Sequence, residues 1–192
     1  MIVLPIHRVV ESLAGARWDD FRRKLIWYYD TISVPLSTDN AVAELEQAVS
    51  ELGRTGEPLT YLILEPGAQG LLRLHLRDWD AVCDLIPDTA GDTASHLDVT
   101  VFDCVVLLDI LGFDSREVEA NVDFTKDVST AFEEVHSGKA VFAGFVRPTP
   151  LTTLLAVARA GGRMPQKSSY FYPKIPIGLL MRDLLDETEA VE

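Results

Sequence analysis

The chain has 192 residues, 47% of which are hydrophobic, so it can form one domain with a buried core that needs no disulfide or metal to fold. Its net charge of −13 argues against general nucleic-acid binding, because contacts with phosphate groups require a basic surface. The opening run "MIVLPIHRVV" has no basic start, and no apolar run approaches the roughly 20 residues of a membrane span, so we expect a cytoplasmic protein without a membrane partner.

The sequence offers few candidate metal ligands. Cys83 and Cys104 show no CxxC spacing, and we expect both to be buried, reduced thiols. The histidines are scattered along the chain as His7, His75, His96 and His136. We therefore predict no metal site.

The beginning of the chain predicts two strands, each followed by a helix. The β-branched run over 2–10 indicates a strand, and apolar residues at helical spacing indicate a helix over 17–29. The run "TISVPL" indicates a short edge strand, because Pro35 has no N–H to donate to a neighbouring strand. We expect a second helix to follow and to end at Gly53.

The middle of the chain predicts a hairpin and a long helix. The runs 59–65 and 70–78 are strand-like and are joined by "PGAQG", which indicates a β-hairpin. Leucines alternate with basic residues in the second run, which predicts one dry face and one wet face. After an irregular acidic stretch with a weak internal boundary near 87–95, we expect a helix over 97–111, whose early Asp98 suits the helix dipole.

The last part of the chain predicts further alternation of strands and helices. The pattern indicates a strand over 119–124, a helix over 125–137 and a buried strand over 139–146. A helix with Thr149 as its cap follows. The run "IPIGLLM" indicates a final strand, and we expect the acidic tail over 183–192 to fray.

This order of elements predicts a single α/β domain over 1–182, with an α+β fold as the alternative. We expect a mixed β-sheet with helices packed on it, a strand–helix–strand unit at each end and a central hairpin. The signatures GxGxxG, GxxxxGK[ST] and GxSxG are absent from the sequence, so dinucleotide-binding, P-loop and hydrolase interpretations have no support.

Basic residues are concentrated in one acid-free segment. Residues 147–182 hold six of the 17 Lys and Arg residues and none of the 30 Asp and Glu residues. A cationic segment in an acidic protein favours a small anionic ligand, and we expect the N-terminus of the helix after Thr149 to form an anion cradle with Arg147. The alternatives are that these cations pair with acids elsewhere and that the helix is simply capped.

The run "MPQKSSYFYPK" over 164–174 is the best candidate for a ligand-binding loop. Charge, hydroxyl donors and aromatic surface come from Lys167, Lys174, Ser168, Ser169, Tyr170 and Phe171. Together with Arg147 these residues form the predicted anion site, and we assign no catalytic residue. The alternative is a loop that closes over the core, with its aromatic residues as anchors and its lysines in solvent.

Five blocks of the sequence follow one another in a recognisable order. They read "LPIHRVV", "LDVTVF", "VDFTKD", "SGKAVFAGFVRPTPLTTLLAVARAGGRMPQKSSYFYPK" and "GLLM". Together they resemble the C-terminal half of the domain of unknown function 1015 family of bacteria and archaea, most distinctively in the pattern MPxKSxYFxPK. The resemblance covers essentially the whole chain and is loosest over 30–95. The matched positions are His7, Arg8, Asp98, Asp127, Arg147, Pro148, Lys167, Ser168, Tyr170, Phe171 and Lys174.

The resemblance implies a longer parent chain whose N-terminal half is similar to the ParB/sulfiredoxin-like fold and its phosphate-binding box. The blocks "PYDVI" and "ADGHHR", which are typical of that half, are not found in this sequence, so we expect a fragment, a split gene product or a truncated paralogue. The resemblance transfers no activity and no catalytic residue. It makes His7, Arg8, Asp98 and Asp127 auxiliary candidates only.

Two functions follow as expectations. The first is a binding or assembly domain of a larger or split protein, whose cationic segment takes a small phosphorylated or carboxylate ligand. Its partner would be the missing N-terminal half or further copies of the chain in a homo-oligomer. The alternative is half of a nucleotide-dependent phosphotransferase related to free-serine kinases, and only this alternative implies a nucleotide with magnesium as cofactor. In both cases we expect no catalysis by this chain alone.

Overall fold

The computed structural model describes residues 2–55, 57–87 and 92–174. Helices pack on a six-stranded sheet, and a two-stranded sheet joins the two ends of the described chain, which confirms the predicted class. The strands are β1 (Ile2–Leu4), β2 (His7–Val10), β3 (Tyr29–Pro35), β4 (Thr60–Leu64), β5 (Gly70–Leu76), β6 (Val122–Thr125), β7 (Phe142–Phe145) and β8 (Tyr170–Tyr172). The helices are α1 (Trp18–Tyr28), α2 (Ala41–Thr55), α3 (Asp92–Ser95), α4 (Asp98–Phe102), a π-helix (Asp103–Ile110), α5 (Ser115–Asn121), α6 (Val128–His136) and α7 (Leu151–Arg159).

The strand order of the six-stranded sheet is β3-β5-β4-β7-β2-β6, and each described pair is antiparallel. The sheet is thus antiparallel where the chain order predicted a mixed one, and the α+β alternative describes it better. The reason is the position of β2. This strand lies between β6 and β7, which are connected by α6. Because β2 is antiparallel to both of them, β6 and β7 run in the same direction but are not neighbours in the sheet.

Alternate residues of the strands enter two separate cores, one on each face of the sheet. On one face Val10, Tyr61 and Leu74 belong to a core with α1, α4 and the π-helix. On the other face Val9 and Leu62 belong to a core with α2 and α6. Because β4 contributes to both cores, all five of its residues are buried.

The predicted hairpin is confirmed by β4 and β5, whose loop contains a 3₁₀ turn over Pro66–Ala68. The leucines of β5 are buried, whereas Arg73 is half-buried and His75 is exposed, which confirms the dry and wet faces. Strand β3 lies at the edge of the sheet, as predicted, but it extends from Tyr29 to Pro35. The helices predicted over 17–29 and 125–137 are present as α1 and α6.

Several element boundaries differ from the prediction. The expected strand over 2–10 is divided at Pro5 into β1 and β2, which belong to different sheets, because proline cannot donate a hydrogen bond. Helix α2 continues past Gly53 to Thr55. The predicted cap of α7 is wrong: Pro150 occupies the cap position, no side chain caps the helix, and Thr149 is buried.

The helix predicted over 97–111 is confirmed, but it changes type along its length. Its first part is α4, and from Asp103 it continues as a π-helix. The strand predicted over 119–124 is shorter than expected, because α5 takes up its beginning and only Val122–Thr125 is extended. Asp114 and Glu117 form a capping box that starts α5.

The approach of α4 to the sheet depends on Gly144 in β7. A Cβ atom at this position would lie 2.3 Å from Cζ of Phe102, whose ring is buried. A larger residue therefore cannot fit without moving the ring or the backbone. Gly144 sets how closely the helix packs on β7.

Some predictions fall partly or wholly outside the described residues. These are the strand over 175–181, the tail over 183–192 and residues 88–91 of the weak boundary near 87–95. Where the chain is described, none of its helices combines the length and the apolar character needed to cross a membrane. Cys104 is buried as expected, whereas Cys83 is half-buried.

Candidate functional site

The predicted ligand-binding loop over 164–174 packs on the core at its start and ends in a strand. Met164 packs against the core of the α1 face. Strand β8 then pairs with β1, so that Tyr170 lies opposite Leu4 and Tyr172 lies opposite Ile2. Phe171 and Tyr172 are exposed, so the alternative in which the aromatic residues anchor the loop in the core does not hold for them.

Two lysines converge on the ring of Tyr170. The ammonium of Lys174 lies 4.9 Å from the ring centroid, and that of Lys126 lies 5.7 Å from it. Both distances are within the range of cation–π attraction. Lys126 precedes α6 and belongs to the block "VDFTKD", whereas Tyr170 and Lys174 belong to the loop. We call Lys126, Tyr170 and Lys174 the Tyr170 patch.

Neither lysine of the Tyr170 patch forms a close ion pair with a carboxylate in the described part of the chain, although the charge of Lys126 acts on the neighbouring carboxylate of Asp127. The ion pairs found there engage other basic residues, among them Lys139 with Glu134 and Arg147 with Asp98. Lys126 and Lys174 are both exposed. The patch is therefore a local concentration of positive charge without a close ion pair, on a strongly acidic protein.

The remaining predicted residues of the loop lie just before Tyr170. Lys167 is exposed and has a φ of 54°, in the turn that leads to β8. Ser168 is buried and Ser169 is half-buried. Among the described residues the cation–π contacts with the Tyr170 ring come from Lys126 and Lys174 and not from Lys167.

Arg147 does not belong to this patch. Its Nη2 donates to Oδ2 of Asp98 at 2.7 Å, and its Nε lies 3.3 Å from Oδ1. The two side chains are only 10% and 11% exposed. The carboxylate of Asp98 already neutralises the guanidinium, which argues against the expected part of Arg147 in an anion cradle at the start of α7.

A second buried ion pair lies on the same helix. Arg8 is fully buried in β2, and its Nε and Nη2 donate to the two carboxylate oxygens of Asp103 at 2.8 and 2.7 Å. Asp98 also accepts the N–H of Leu59 at 2.6 Å. The two Arg–Asp pairs therefore fasten α4 and the start of the π-helix to the sheet. Asp98 and Arg8, both auxiliary candidates, have structural partners.

Tyr61 lies next to these pairs in the core. Its hydroxyl donates to the carbonyl of Asp98 at 3.0 Å. Burial raises the pKa of Tyr61 well above its ordinary value, and neighbouring Tyr29 and Asp98 add to the effect. The phenol therefore stays protonated and serves the helix–sheet contact.

His7 is buried and neutral. Its ring packs against Phe145 with 4.9 Å between centroids, and its Nδ1 has no hydrogen-bond partner in the described structure. Burial, followed by the charge of Arg8, lowers the pKa of His7 from 6.5 to about 4. At neutral pH the imidazole therefore carries no charge that would attract an anion.

Asp127 starts α6 as its N-cap. Its Oδ1 accepts the N–H groups of Ser129 and Thr130 at 3.1 and 3.2 Å and the Ser129 hydroxyl at 2.8 Å. These hydrogen bonds lower the pKa of Asp127, and the bond from the Ser129 hydroxyl has the largest effect. The carboxylate therefore has a structural role in positioning Lys126 and the first turn of α6.

The structure thus brings together only part of the predicted site. Tyr170 and Lys174 meet, and Lys126 joins them although sequence reasoning missed it. One sequence feature could have indicated Lys126, namely its position in the block "VDFTKD", which resembles a block of the family. However, Lys126 stands next to the acidic Asp127 and far from the loop in sequence. No group of three His, Cys, Asp or Glu side chains that could hold a metal is found among the described residues.

Comparison of the chain with protein-family models, with curated proteins and with solved structures finds no match. The resemblance to the domain of unknown function 1015 family stays a prediction. The alternative of a phosphotransferase half stays a prediction as well.

Proposed function

We propose that this chain is a binding domain for a small phosphorylated or carboxylate ligand, which it holds at the Tyr170 patch. One observation supports the proposal: two ammonium groups approach the same tyrosine ring, at 4.9 and 5.7 Å, and neither forms a close ion pair with a described carboxylate. Each ammonium group attracts an anion, and a ligand that reaches both gains both attractions.

The chemistry around the patch suits a ligand with one strongly charged group. A phosphate monoester or a carboxylate can accept hydrogen bonds from both ammonium groups at once. The exposed ring of Tyr172, which lies on the same face of β8 as Tyr170, is a surface on which an apolar or aromatic part of the ligand can pack. We infer that charge fixes the ligand class and that the exposed aromatic residues favour ligands with an organic moiety over inorganic phosphate.

The patch is carried by elements from distant parts of the chain. Lys126 follows β6, whereas Tyr170 lies on β8, which pairs with β1. A ligand at the patch would bridge the six-stranded sheet and the two-stranded sheet. Binding would therefore stabilise the contact between them, and a rise in melting temperature is a suitable readout.

The test is a titration of the purified chain with inorganic phosphate, phosphoserine, ADP and ATP, followed by melting temperature and by the NMR signals of the tyrosine rings. We expect at least one of these anions to raise the melting temperature and to shift the Tyr170 signals. Lys126→Ala and Lys174→Ala should each weaken the affinity by about fivefold, which corresponds to about 1 kcal/mol for a partly exposed ion pair.

Lys139→Ala is the matched control. Lys139 is also an exposed lysine, but it lies among Glu11, Asp123 and Glu134. Its loss changes the net charge by the same amount and should leave the affinity for anions unchanged or lower it only slightly. If no anion binds, or if both patch variants bind as tightly as the Lys139 variant, the proposal is wrong.

A further inference from the structure

We propose that the acidic segment 183–192 of the same chain binds to the Tyr170 patch and competes there with the small anion. The proposal rests on the patch described under the proposed function. The segment contains five Asp and Glu residues and no Lys or Arg, so its charge is opposite to that of Lys126 and Lys174. Neither lysine forms a close ion pair with a carboxylate among the described residues, so the exposed ammonium groups can still meet an acidic segment.

The patch continues into an exposed apolar surface. Ile2 and Tyr172 pair directly, two residues along the same strands from the pair Leu4 and Tyr170. Because residues two apart in a strand face the same side, these four side chains share one face of the two-stranded sheet. Ile2 is 56% exposed and Tyr172 is 54% exposed, so this face combines positive charge with uncovered apolar area.

The acidic segment has the same combination with the opposite charge. It reads "DLLDETEAVE", in which Leu184 and Leu185 stand between Asp183 and Asp186. The acidic side chains would meet Lys126 and Lys174, while the leucines would cover the exposed part of the Ile2 and Tyr172 side chains. Complementarity in both charge and hydrophobicity favours this segment over a purely acidic one.

The segment is also within reach of the patch. Lys174 is itself part of the patch, and only residues 175–182 separate it from Asp183. That many residues span at most about 30 Å when fully extended. A segment tethered at such a short distance has an effective concentration on the order of millimolar, so a weak contact suffices to occupy the patch for much of the time.

A first experiment tests the contact itself in the full chain. A carbodiimide joins a lysine amine to a carboxylate only where the two touch, and mass spectrometry identifies the joined peptides. We expect Lys126 or Lys174 to be joined to acidic residues of 183–192 within single molecules. Lys139 serves as an internal positive control, because its Nζ lies 2.8 Å from the carboxylate of Glu134.

A second experiment tests competition. We would neutralise four acids of the segment without changing its length, with the substitutions Asp183→Asn, Asp186→Asn, Glu187→Gln and Glu189→Gln. The control neutralises four exposed acids on other elements, with the substitutions Asp39→Asn, Glu46→Gln, Asp84→Asn and Glu119→Gln. Phosphoserine and inorganic phosphate should bind the first variant about threefold or more tighter than the control, in keeping with a millimolar effective concentration.

The outcomes separate this inference from the proposed function. The inference is overturned if Lys139 is cross-linked but neither Lys126 nor Lys174 is cross-linked to the segment, whether or not phosphate binds. Links found only between two molecules would overturn it too, because the segment would then belong to a second copy. Equal affinities of the two four-acid variants would show that the segment does not compete. If no variant binds any anion but the intramolecular links form, the contact is supported and the proposed function fails.

Discussion

The buried pair of Arg147 and Asp98 should stabilise the fold, and Asp98→Asn tests this directly. Asparagine keeps an oxygen that can accept the Leu59 N–H, now bound at 2.6 Å, and removes the charge. The two side chains are 10% and 11% exposed, so the guanidinium would be left without a counter-charge in a nearly dry site. We expect the free energy of unfolding to fall by about 3 kcal/mol, the low end for breaking a buried pair.

The assay is urea unfolding followed by circular dichroism, with Asp30→Asn as the matched control. Asp30 and Arg77 are also 2.7 Å apart, but they are 65% and 44% exposed. Because solvent screens an exposed pair, the control should lose at most about 1 kcal/mol. The double variant Arg147→Met/Asp98→Asn should lose about 2 kcal/mol less than the two single variants together, since it leaves no buried charge unpaired.

Two results would refute this reasoning. Equal losses for Asp98→Asn and Asp30→Asn would show that burial does not strengthen the pair. If Arg147→Met unfolds like the parent chain but no longer binds the anion, the guanidinium is a ligand contact and not a clamp between helix and sheet.

Two further predictions concern His7 and Gly144. The pKa of His7 is about 4 in the folded chain, whereas its ordinary value is 6.5. Between these two pH values the unfolded chain binds a proton at His7 and the folded chain does not. The free energy of unfolding should therefore decrease by about 3 kcal/mol as the pH falls from 6.5 to 4. Urea unfolding over this range should show a shallower decrease for His7→Phe, and an equal decrease would contradict the assignment. Gly144→Ala should lower the free energy of unfolding by about 2 kcal/mol, because the added methyl meets the Phe102 ring. Phe102→Leu in that background should restore part of the loss, whereas an unchanged stability of Gly144→Ala would show that the ring moves freely.

Elements whose signals are local could be predicted well. The hairpin of β4 and β5 follows from two apolar runs around a turn-forming loop, and the edge position of β3 follows from Pro35, which cannot donate a hydrogen bond. The position of β2 could not be predicted in this way. Its pairing with β6 and β7 joins residues more than a hundred positions apart, and no local sequence pattern indicates such a pairing.

The candidate site shows the same limit. The composition of the loop singled out Tyr170 and Lys174, which meet in space. Arg147 was chosen because its segment contains no acid, yet its partner Asp98 comes from a helix 49 positions earlier in the chain. Lys126 was missed for the converse reason, since only the fold brings it to the loop. Local sequence reveals which residues carry charge, but distant partners decide which charges remain unpaired.

The insertion of β2 between β6 and β7 has a consequence for how the chain is made. The strand neighbour Gly144 is synthesised about 136 residues after Arg8, which takes roughly seven to thirty seconds at ordinary rates of translation. Until β6 is made, this strand, whose four residues are all buried in the fold, has neither of its neighbours, and Arg8 lacks Asp103 until residue 103 is made. The sheet closes around a strand that is synthesised well before both of its neighbours, so β2 is the strand of this sheet that most needs protection during synthesis.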